Sequence, residues 1–312
     1  MTIAYCWLDM SLSRERITAV SDSRISRQTA GGAWVPMQEE TIKLFRVPVK
    51  CYGQEGFDLN TGAWKDPYFE TELGLAFAGD CVEALCIANA FMRGVSQLVA
   101  TGTTRPRPEP IKLYQMLEAA GNHWLSTYKK PTDASVHFLL FGYSPVDSKP
   151  WAGRLIWPER PAPGGNQFEN PLFDASIFVI GAHTVPTAGP FAEKLRRLIQ
   201  NQAGKKMNVA ELQMAGFEPD LERVRLLHAD SMTLEQDVVN LLVAAAEVTI
   251  GGTMQKLEVF PEANGRAVVS FCRDDVDLSH DFDEAADGLI YVSSAQRMGW
   301  AARPTPSDDS FV

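Results

Sequence analysis

The chain of 312 residues is long enough for one large domain, and its net charge of −10 argues against a general nucleic-acid-binding surface. Hydrophobic residues make up 45% of the sequence, yet no apolar run is long enough to cross a membrane. The five cysteines are odd in number and form no CxxC pair, which predicts a reduced, cytoplasmic protein without a disulfide framework.

The first informative residue is Thr2, which precedes a strand predicted over 3–8. Removal of Met1 would leave a hydroxyl and a free α-amine on the same residue. A threonine hydroxyl is a poor nucleophile at neutral pH, but an α-amine with an ordinary pKa of about 8 can accept its proton. Thr2 is therefore a candidate nucleophile, although Met-Thr is also an ordinary processed N-terminus.

Three segments that follow Thr2 carry polar residues or glycine at predicted strand ends or within an apolar strand. In chain order they are Asp22-Ser23-Arg24 after the strand over 17–20, Lys43 in the run 41–45, and Gly79 after the strand over 74–78. Taken singly, Asp22 could cap a turn, Lys43 could be an exposed strand residue, and Gly79 could serve a strand-to-helix turn. Their order behind Thr2 favours a shared catalytic site.

The rest of the sequence mixes helical and strand-like periods. Helices are predicted over 80–98, 111–127, 190–202 and 233–248, and strands over 136–143, 153–157, 175–180, 254–260 and 267–271. Asp80 is expected to cap the first helix, and Asn264-Gly265 to turn the last hairpin. The Pro- and Gly-rich segment 158–170 is expected to form a loop. The element order by itself predicts an α+β class.

This ordered set, from Thr2 to Gly79, resembles the N-terminal-nucleophile (Ntn) hydrolases, and among them the proteasome β-type subunits. The likeness is best over residues 2–100 and looser beyond them. It implies a bacterial proteasome-like protein with a four-layer αββα sandwich, in which helices cover the outer faces of two packed sheets. We accordingly expect a single domain over 1–300 and a disordered tail over 301–312.

The resemblance implies a role for each residue of the set. Thr2 would be the nucleophile, Lys43 would stabilise the developing alkoxide and lower the pKa of the α-amine, and Asp22 would hold Lys43 and balance its charge. The backbone N–H of Gly79, at a helix N-terminus, would face the oxyanion of a tetrahedral intermediate. Supporting positions would be Ser23, Arg24 and Glu247.

By the same resemblance, the pocket for the substrate side chain lies beside Thr2. Its lining positions would be Ile25, Ser26, Thr41, Phe45, Phe77, Cys81 and Leu85. None of them is charged, so a buried Arg or Glu side chain would go unpaired, at a large cost in binding free energy. We therefore expect an apolar side chain on the acyl side of the cut bond, with Phe45 and Phe77 narrowing the pocket toward Ala, Val or Leu.

The chain departs from the family pattern at three positions that would support the α-amine and the catalytic water. Ala182 and Ile250 stand where the family commonly has serines, and Glu247 stands where it often has an aspartate. The missing hydroxyls leave open either a rewired proton path or a weak or inactive site. Relative to compact members, insertions are predicted near 26–40, 52–72 and 205–229.

The resemblance implies a threonine-type peptidase that cleaves amide bonds in peptides or unfolded protein, without a metal or cofactor. It also implies a homo-oligomer, and it leaves an unfoldase partner undefined. Two alternatives stay open: a small-molecule Ntn amidohydrolase with the same chemistry, and a catalytically inactive assembly subunit with the same fold. The carboxylate-rich segment 274–284 lacks the mid-loop glycine of a calcium loop and is interpreted as a solvated loop.

Overall fold

The computed structural model describes nine stretches of the chain: 3–9, 15–29, 31–38, 41–60, 63–127, 135–158, 165–173, 177–181 and 254–271. Several sequence predictions fall outside these residues. They are the helices over 190–202 and 233–248, the insertion near 205–229, the acidic segment 274–284, the tail over 301–312, and the site residues Thr2, Ala182, Glu247 and Ile250.

The described stretches form fifteen strands and two α-helices. In chain order they are β1 (Ile3–Asp9), β2 (Arg16–Asp22), β3 (Ile25–Gln28), β4 (Trp34–Gln38), β5 (Leu44–Tyr52), β6 (Phe57–Asp58), β7 (Ala63–Trp64), β8 (Phe69–Gly79), α1 (Cys81–Val95), β9 (Leu98–Val99), α2 (Pro110–Thr127), β10 (Val136–Tyr143), β11 (Pro150–Trp157), β12 (Gln167–Glu169), β13 (Ile177–Gly181), β14 (Met254–Pro261) and β15 (Ala267–Phe271). This content confirms the predicted α+β class.

The first sheet has five antiparallel strands in the order β13-β1-β2-β14-β15. Its last hairpin turns through Asn264 and Gly265, whose φ angles are 62° and 72°. Positive φ at two consecutive residues is what an Asn-Gly hairpin turn provides, so the predicted hairpin is confirmed. Strand β14 pairs with β2 although the two are far apart in sequence, with Leu257 opposite Ala19.

The second sheet has six strands in the order β12-β11-β10-β8-β5-β9, with only the β5–β9 pair parallel. The prediction of a loop over 158–170 was wrong in part, because β12 lies within it. Phe168 of β12 has ring contacts with Tyr114 at 5.2 Å and with Trp151 at 5.9 Å. This aromatic packing holds a short strand at the sheet edge within a segment of turn-forming composition.

Two cores separate three described layers. One core lies between the sheets, and the other lies between the second sheet and the helices α1 and α2. Strand β8 supplies both, because its side chains alternate: Ala76 and Ala78 face the first sheet, and Leu75 and Phe77 face the helices. The order sheet, sheet, helices agrees with three layers of the predicted sandwich. Its second helical layer stays a prediction.

The helix ends differ from the predictions in two places. Helix α1 ends at Val95 rather than at 98, because Leu98 and Val99 pair with β5 as a parallel strand. Asp80 precedes α1 but its side chain makes no cap; its Oδ2 accepts a hydrogen bond from the backbone N–H of Ser135 at 2.7 Å. No helix among the described residues is long and apolar enough to span a bilayer.

The predicted insertions near 26–40 and 52–72 contain structure of their own. In the first, β3 and β4 form a two-stranded ribbon with a bulge near its start. In the second, β6 pairs with β7, and the ring of Trp64 lies 5.2 Å from that of Tyr52 and 5.0 Å from that of Phe57. Aromatic contact thus ties the second segment back to the end of β5.

Candidate active site

The candidate site lies at one end of the two packed sheets, where several strands begin or end. In the first sheet, the first residue of β1 faces the last of β13, and the last residue of β2 faces the first of β14. In the second sheet, the last residue of β8 faces the first of β10, and β5 begins directly after Lys43. Hydrogen bonds between the two sheets, described below, show that these ends adjoin.

Asp22 and Lys43 form a buried ion pair across the sheets. The Lys43 Nζ lies 3.1 Å from Asp22 Oδ1, and the side chains are 1% and 0% exposed, respectively. The ammonium also donates to the carbonyl oxygen of Arg24 at 2.5 Å, and the backbone N–H of Arg24 donates to Asp22 Oδ2 at 3.3 Å. Arg24 therefore contributes its backbone to this site. The alternative interpretation of Lys43 as an exposed strand residue was wrong, because its side chain is fully buried.

Burial sets the protonation behaviour of Lys43. Removal from water lowers the pKa of its ammonium below the ordinary 10.5, and the adjacent Asp22 carboxylate opposes this shift without cancelling it. The charge of Arg24 adds a smaller lowering effect. A buried lysine with a lowered pKa next to a carboxylate is a typical feature of catalytic sites, where positive charge must act on a reacting atom without water between them.

Gln255, which was not singled out from the sequence, fixes the backbone that carries Lys43. Its Oε1 accepts hydrogen bonds from the backbone N–H groups of Lys43 at 2.8 Å and Leu44 at 3.3 Å, and its Nε2 donates to the carbonyl of Thr41. The side chain is 4% exposed. In the sequence, Gln255 stands out only as a polar residue two positions before Leu257. The two side chains therefore lie on the same, inward-facing side of β14.

The turn at Gly79 requires glycine. Its φ is +99°, and a Cβ at this position would lie 1.8 Å from the carbonyl oxygen of Ser135. The next residue, Asp80, donates its backbone N–H to that same carbonyl at 2.8 Å. Burial raises the pKa of the Asp80 carboxyl, and the hydrogen bond from Ser135 opposes this. The β8–α1 turn is therefore held closely against the residue that precedes β10.

A second inter-sheet contact, also not predicted, is made by His137 on β10. Its Nε2 lies 3.0 Å from Ser135 Oγ, and its Nδ1 accepts the backbone N–H of Gly181 at 3.3 Å. The ring is 4% exposed, in phase with Leu139 between the sheets. The sequence signal was a histidine within an otherwise apolar strand.

Four of the predicted pocket residues lie on β5, β8 and α1. The rings of Phe45 and Phe77 stack with centroids 5.9 Å apart. Cys81 is half-buried. Burial raises the pKa of its thiol, and the charge of the nearby Lys43 ammonium opposes this rise. Leu85 is 40% exposed on α1. This group is apolar, and its role in substrate binding stays a prediction.

The other predicted residues lie along the path from β2 to β5. Ile25 and Ser26 are half-buried at the start of β3. Ser23 is fully buried, and its carbonyl accepts the backbone N–H of Thr41 at 2.9 Å. Hydrogen bonds therefore hold the backbone around the ion pair together, and β3 begins directly after Arg24. Within the described stretches, no group of three His, Cys, Asp or Glu residues is arranged to hold a metal ion.

Comparison with solved structures gives chain-length matches at low identity. Anbu carrying a Gly-1 mutation, from Hyphomicrobium sp. strain MC1, is 13% identical with a TM-score of 0.44, covering 97% of this chain and 98% of that chain. The helical assembly of the Anbu complex from Pseudomonas aeruginosa is 11% identical, also with a TM-score of 0.44, and covers 100% of both chains. Anbu (ancestral beta-subunit) from Yersinia bercovieri is 10% identical with a TM-score of 0.43, covering 97% of this chain and 98% of that chain.

No family model matches the sequence, and a search of curated proteins finds no match. Identities of 10–13% and TM-scores below 0.5 are too low to carry an activity from the solved structures to this chain. A functional proposal therefore depends on the geometry of the residues at the end of the two packed sheets.

Proposed function

We propose that the protein is a threonine-type Ntn hydrolase that cleaves amide bonds, with Thr2 as its nucleophile after removal of Met1. The observation that carries this proposal is the enclosed Asp22–Lys43 ion pair at the sheet ends where β1 begins. A buried charge pair at a strand end has little value as a stabilising device, because desolvation offsets most of the attraction. Its position beside the start of the chain instead suits activation of an N-terminal hydroxyl.

The proposed reaction has two steps, acylation of Thr2 and hydrolysis of the resulting ester. Thr2 Oγ attacks the substrate carbonyl carbon, its proton passes to the Thr2 α-amine, and that proton is delivered to the nitrogen of the departing amine as the C–N bond breaks. The resulting ester is then hydrolysed: water loses one proton to the α-amine and its oxygen bonds to the acyl carbon. The acyl C–Oγ bond then breaks, the proton returns to Thr2 Oγ, and the product leaves as a carboxylic acid. Lys43 stabilises negative charge on Oγ, and the Gly79 N–H stabilises the oxyanion.

The proposed substrates are peptides or unfolded segments with an apolar residue on the acyl side of the cleaved bond. The partly exposed apolar side chains of Phe45 and Leu85 support an apolar pocket, and the buried Phe77 ring stacks on Phe45. By the resemblance to proteasome β-type subunits, the active form is a homo-oligomer that encloses the site.

The test combines intact-mass spectrometry with a peptide-epoxyketone probe that carries an apolar side chain. We expect mature protein to begin at Thr2 and to be labelled there, and Thr2→Ala to abolish labelling. Lys43→Ala should slow labelling by about 10²–10⁴-fold. The matched control is Ser23→Ala, which alters a buried side chain beside the same ion pair and should cost less activity.

Undiminished labelling of Thr2→Ala would refute the nucleophile assignment. Retained Met1 together with an unlabelled wild type would favour the inactive assembly subunit, in line with the missing hydroxyls at Ala182 and Ile250. Labelling by an entirely monomeric protein in light scattering would favour the small-molecule amidohydrolase, because an open site would otherwise expose Thr2 to other proteins.

A further inference from the structure

The contacts of His137 reach both sheets at the candidate site. Its Nδ1 is bonded to Gly181 of the first sheet, and its Nε2 to Ser135 beside the second sheet. We infer that His137 is a positioning residue that fixes the start of β1 relative to the Gly79 turn. The inference rests on the proposed function, because it concerns the spacing between the nucleophile and the oxyanion donor.

The hydrogen-bond pattern defines the tautomer of the ring. A backbone N–H can only donate, so the bond from Gly181 requires an unprotonated Nδ1 on His137. The neutral ring then carries its proton on Nε2, which donates to Ser135 Oγ. His137 is therefore not arranged to take a proton from Ser135, and the pair does not form a serine nucleophile with its base.

On the second sheet, Ser135, which contacts His137, is also bonded to the β8–α1 turn at Gly79, the proposed oxyanion donor. The backbone N–H of Ser135 donates to Asp80 Oδ2 at 2.7 Å, and the N–H of Asp80 returns a bond to the Ser135 carbonyl at 2.8 Å. The same carbonyl would lie 1.8 Å from a Cβ on Gly79. A displacement of Ser135 must consequently displace the Gly79 backbone.

On the first sheet, the contact is joined to the start of the chain. Gly181 is the partner of Ile3 in the β1–β13 register, and Ile3 is covalently bonded to Thr2. Consecutive Cα atoms are about 3.8 Å apart, so fixing the backbone of Ile3 limits the positions that the Thr2 hydroxyl can reach. His137 therefore links the strand that begins directly after Thr2 to the turn that carries the Gly79 N–H.

Two substitutions separate the halves of this bridge. In His137→Asn, the amide oxygen can replace Nδ1 as acceptor for Gly181, while the reach to Ser135 is lost. In His137→Gln, the longer amide can reach Ser135, while the acceptor for Gly181 is lost. His123→Asn, at an exposed histidine on α2, is the matched control.

Each variant is measured by hydrogen–deuterium exchange of the segments 3–9 and 177–181, and by the kcat and KM for an apolar fluorogenic peptide. We expect His137→Gln to raise exchange in both segments and to lower kcat about 10- to 100-fold at nearly constant KM. We expect His137→Asn to keep both segments protected and to lower kcat much less than His137→Gln does, because its retained contact with Gly181 still joins β10 to the first sheet. The control should match wild type in all readouts.

Equal effects of the two His137 substitutions on kcat, or unchanged exchange of segment 3–9 in His137→Gln, would overturn the inference. A wild type that neither cleaves peptide nor reacts at Thr2 would refute the proposed function alone. The exchange data would then still decide whether His137 holds β1, since raised exchange of segment 3–9 in His137→Gln alone supports the bridge without any turnover.

Discussion

Removal of the Asp22 charge should destabilise the protein strongly at neutral pH. Asp22→Asn leaves Lys43 enclosed without its counter-charge, while the bond from the Arg24 backbone can be kept by the amide oxygen. At a separation of 3.1 Å and an effective dielectric constant of about 20, the lost attraction before desolvation is counted is about 5 kcal/mol. Breaking a buried pair by removing one partner is expected to cost about 3–5 kcal/mol in unfolding free energy.

The loss should shrink as the pH rises. Lys43 has a lower pKa in the folded protein than its ordinary 10.5, so the unfolded chain binds more protons between these values and this contribution to stability rises with pH. Without Asp22 the folded-state pKa falls further. The variant lysine therefore sheds its proton at a lower pH, and the stability gap between variant and wild type narrows toward pH 10.

Urea unfolding at several pH values measures this effect, with two reference variants. Asp22→Asn/Lys43→Met removes both charges and should recover most of the lost stability. Asp147→Asn breaks an exposed ion pair of similar length, with 3.0 Å between Lys149 Nζ and Asp147 Oδ2, and should change stability by at most about 1 kcal/mol. A double variant as unstable as Asp22→Asn, or a gap that widens with pH, would refute the charge argument.

Two further predictions concern the same site. kcat/KM should rise as the α-amine loses its proton and should fall again at alkaline pH, because Lys43 must stay charged. The midpoint of this alkaline fall should lie at a pH lower than 10.5, since burial lowers the pKa of Lys43. In Lys43→Arg the alkaline fall should move to higher pH, and an unchanged midpoint would point to another group. Gly79→Ala should destabilise by at least about 1–2 kcal/mol in urea unfolding, because it forces a Cβ into positive φ against the Ser135 carbonyl. Gly94→Ala, in open space on α1, should instead stabilise by roughly 1 kcal/mol; equal effects would contradict the strain argument.

Local patterns were sufficient to predict most of the longer strands of the two sheets and helix α2, because each has a clear hydrophobic period. The short strands β3, β4, β6, β7 and β9 were not predicted. The Asn264-Gly265 hairpin was predictable for the same reason, since its turn chemistry is local. Helix α1 was predicted too long, because its last residues are helix-compatible and leave the helix only to pair with β5. The strand β12 was missed because its stability comes from ring contacts with Tyr114 and Trp151, which no local pattern reveals.

The candidate site shows the same division. Asp22, Lys43 and Gly79 could be singled out from sequence because the resemblance supplied their order, and the structure brings Asp22 and Lys43 into direct contact. Gln255 and His137 could not be paired with their partners beforehand. Their hydrogen bonds depend on strand order and on the spacing between sheets, and the bond from Lys43 to Gln255 joins residues 212 positions apart.

The pairing of β2 with β14 has a consequence for biosynthesis. The nascent N-terminal strands leave the ribosome long before their partner: at about 5–20 residues per second, roughly 10–50 s separate the translation of Asp22 from that of Met254. During this interval β2 presents an unpaired edge on a growing chain, which is a surface prone to improper association. During the same interval the backbone N–H of Lys43 lacks its acceptor, Gln255 Oε1. The candidate site would therefore be completed only after β14 has been translated.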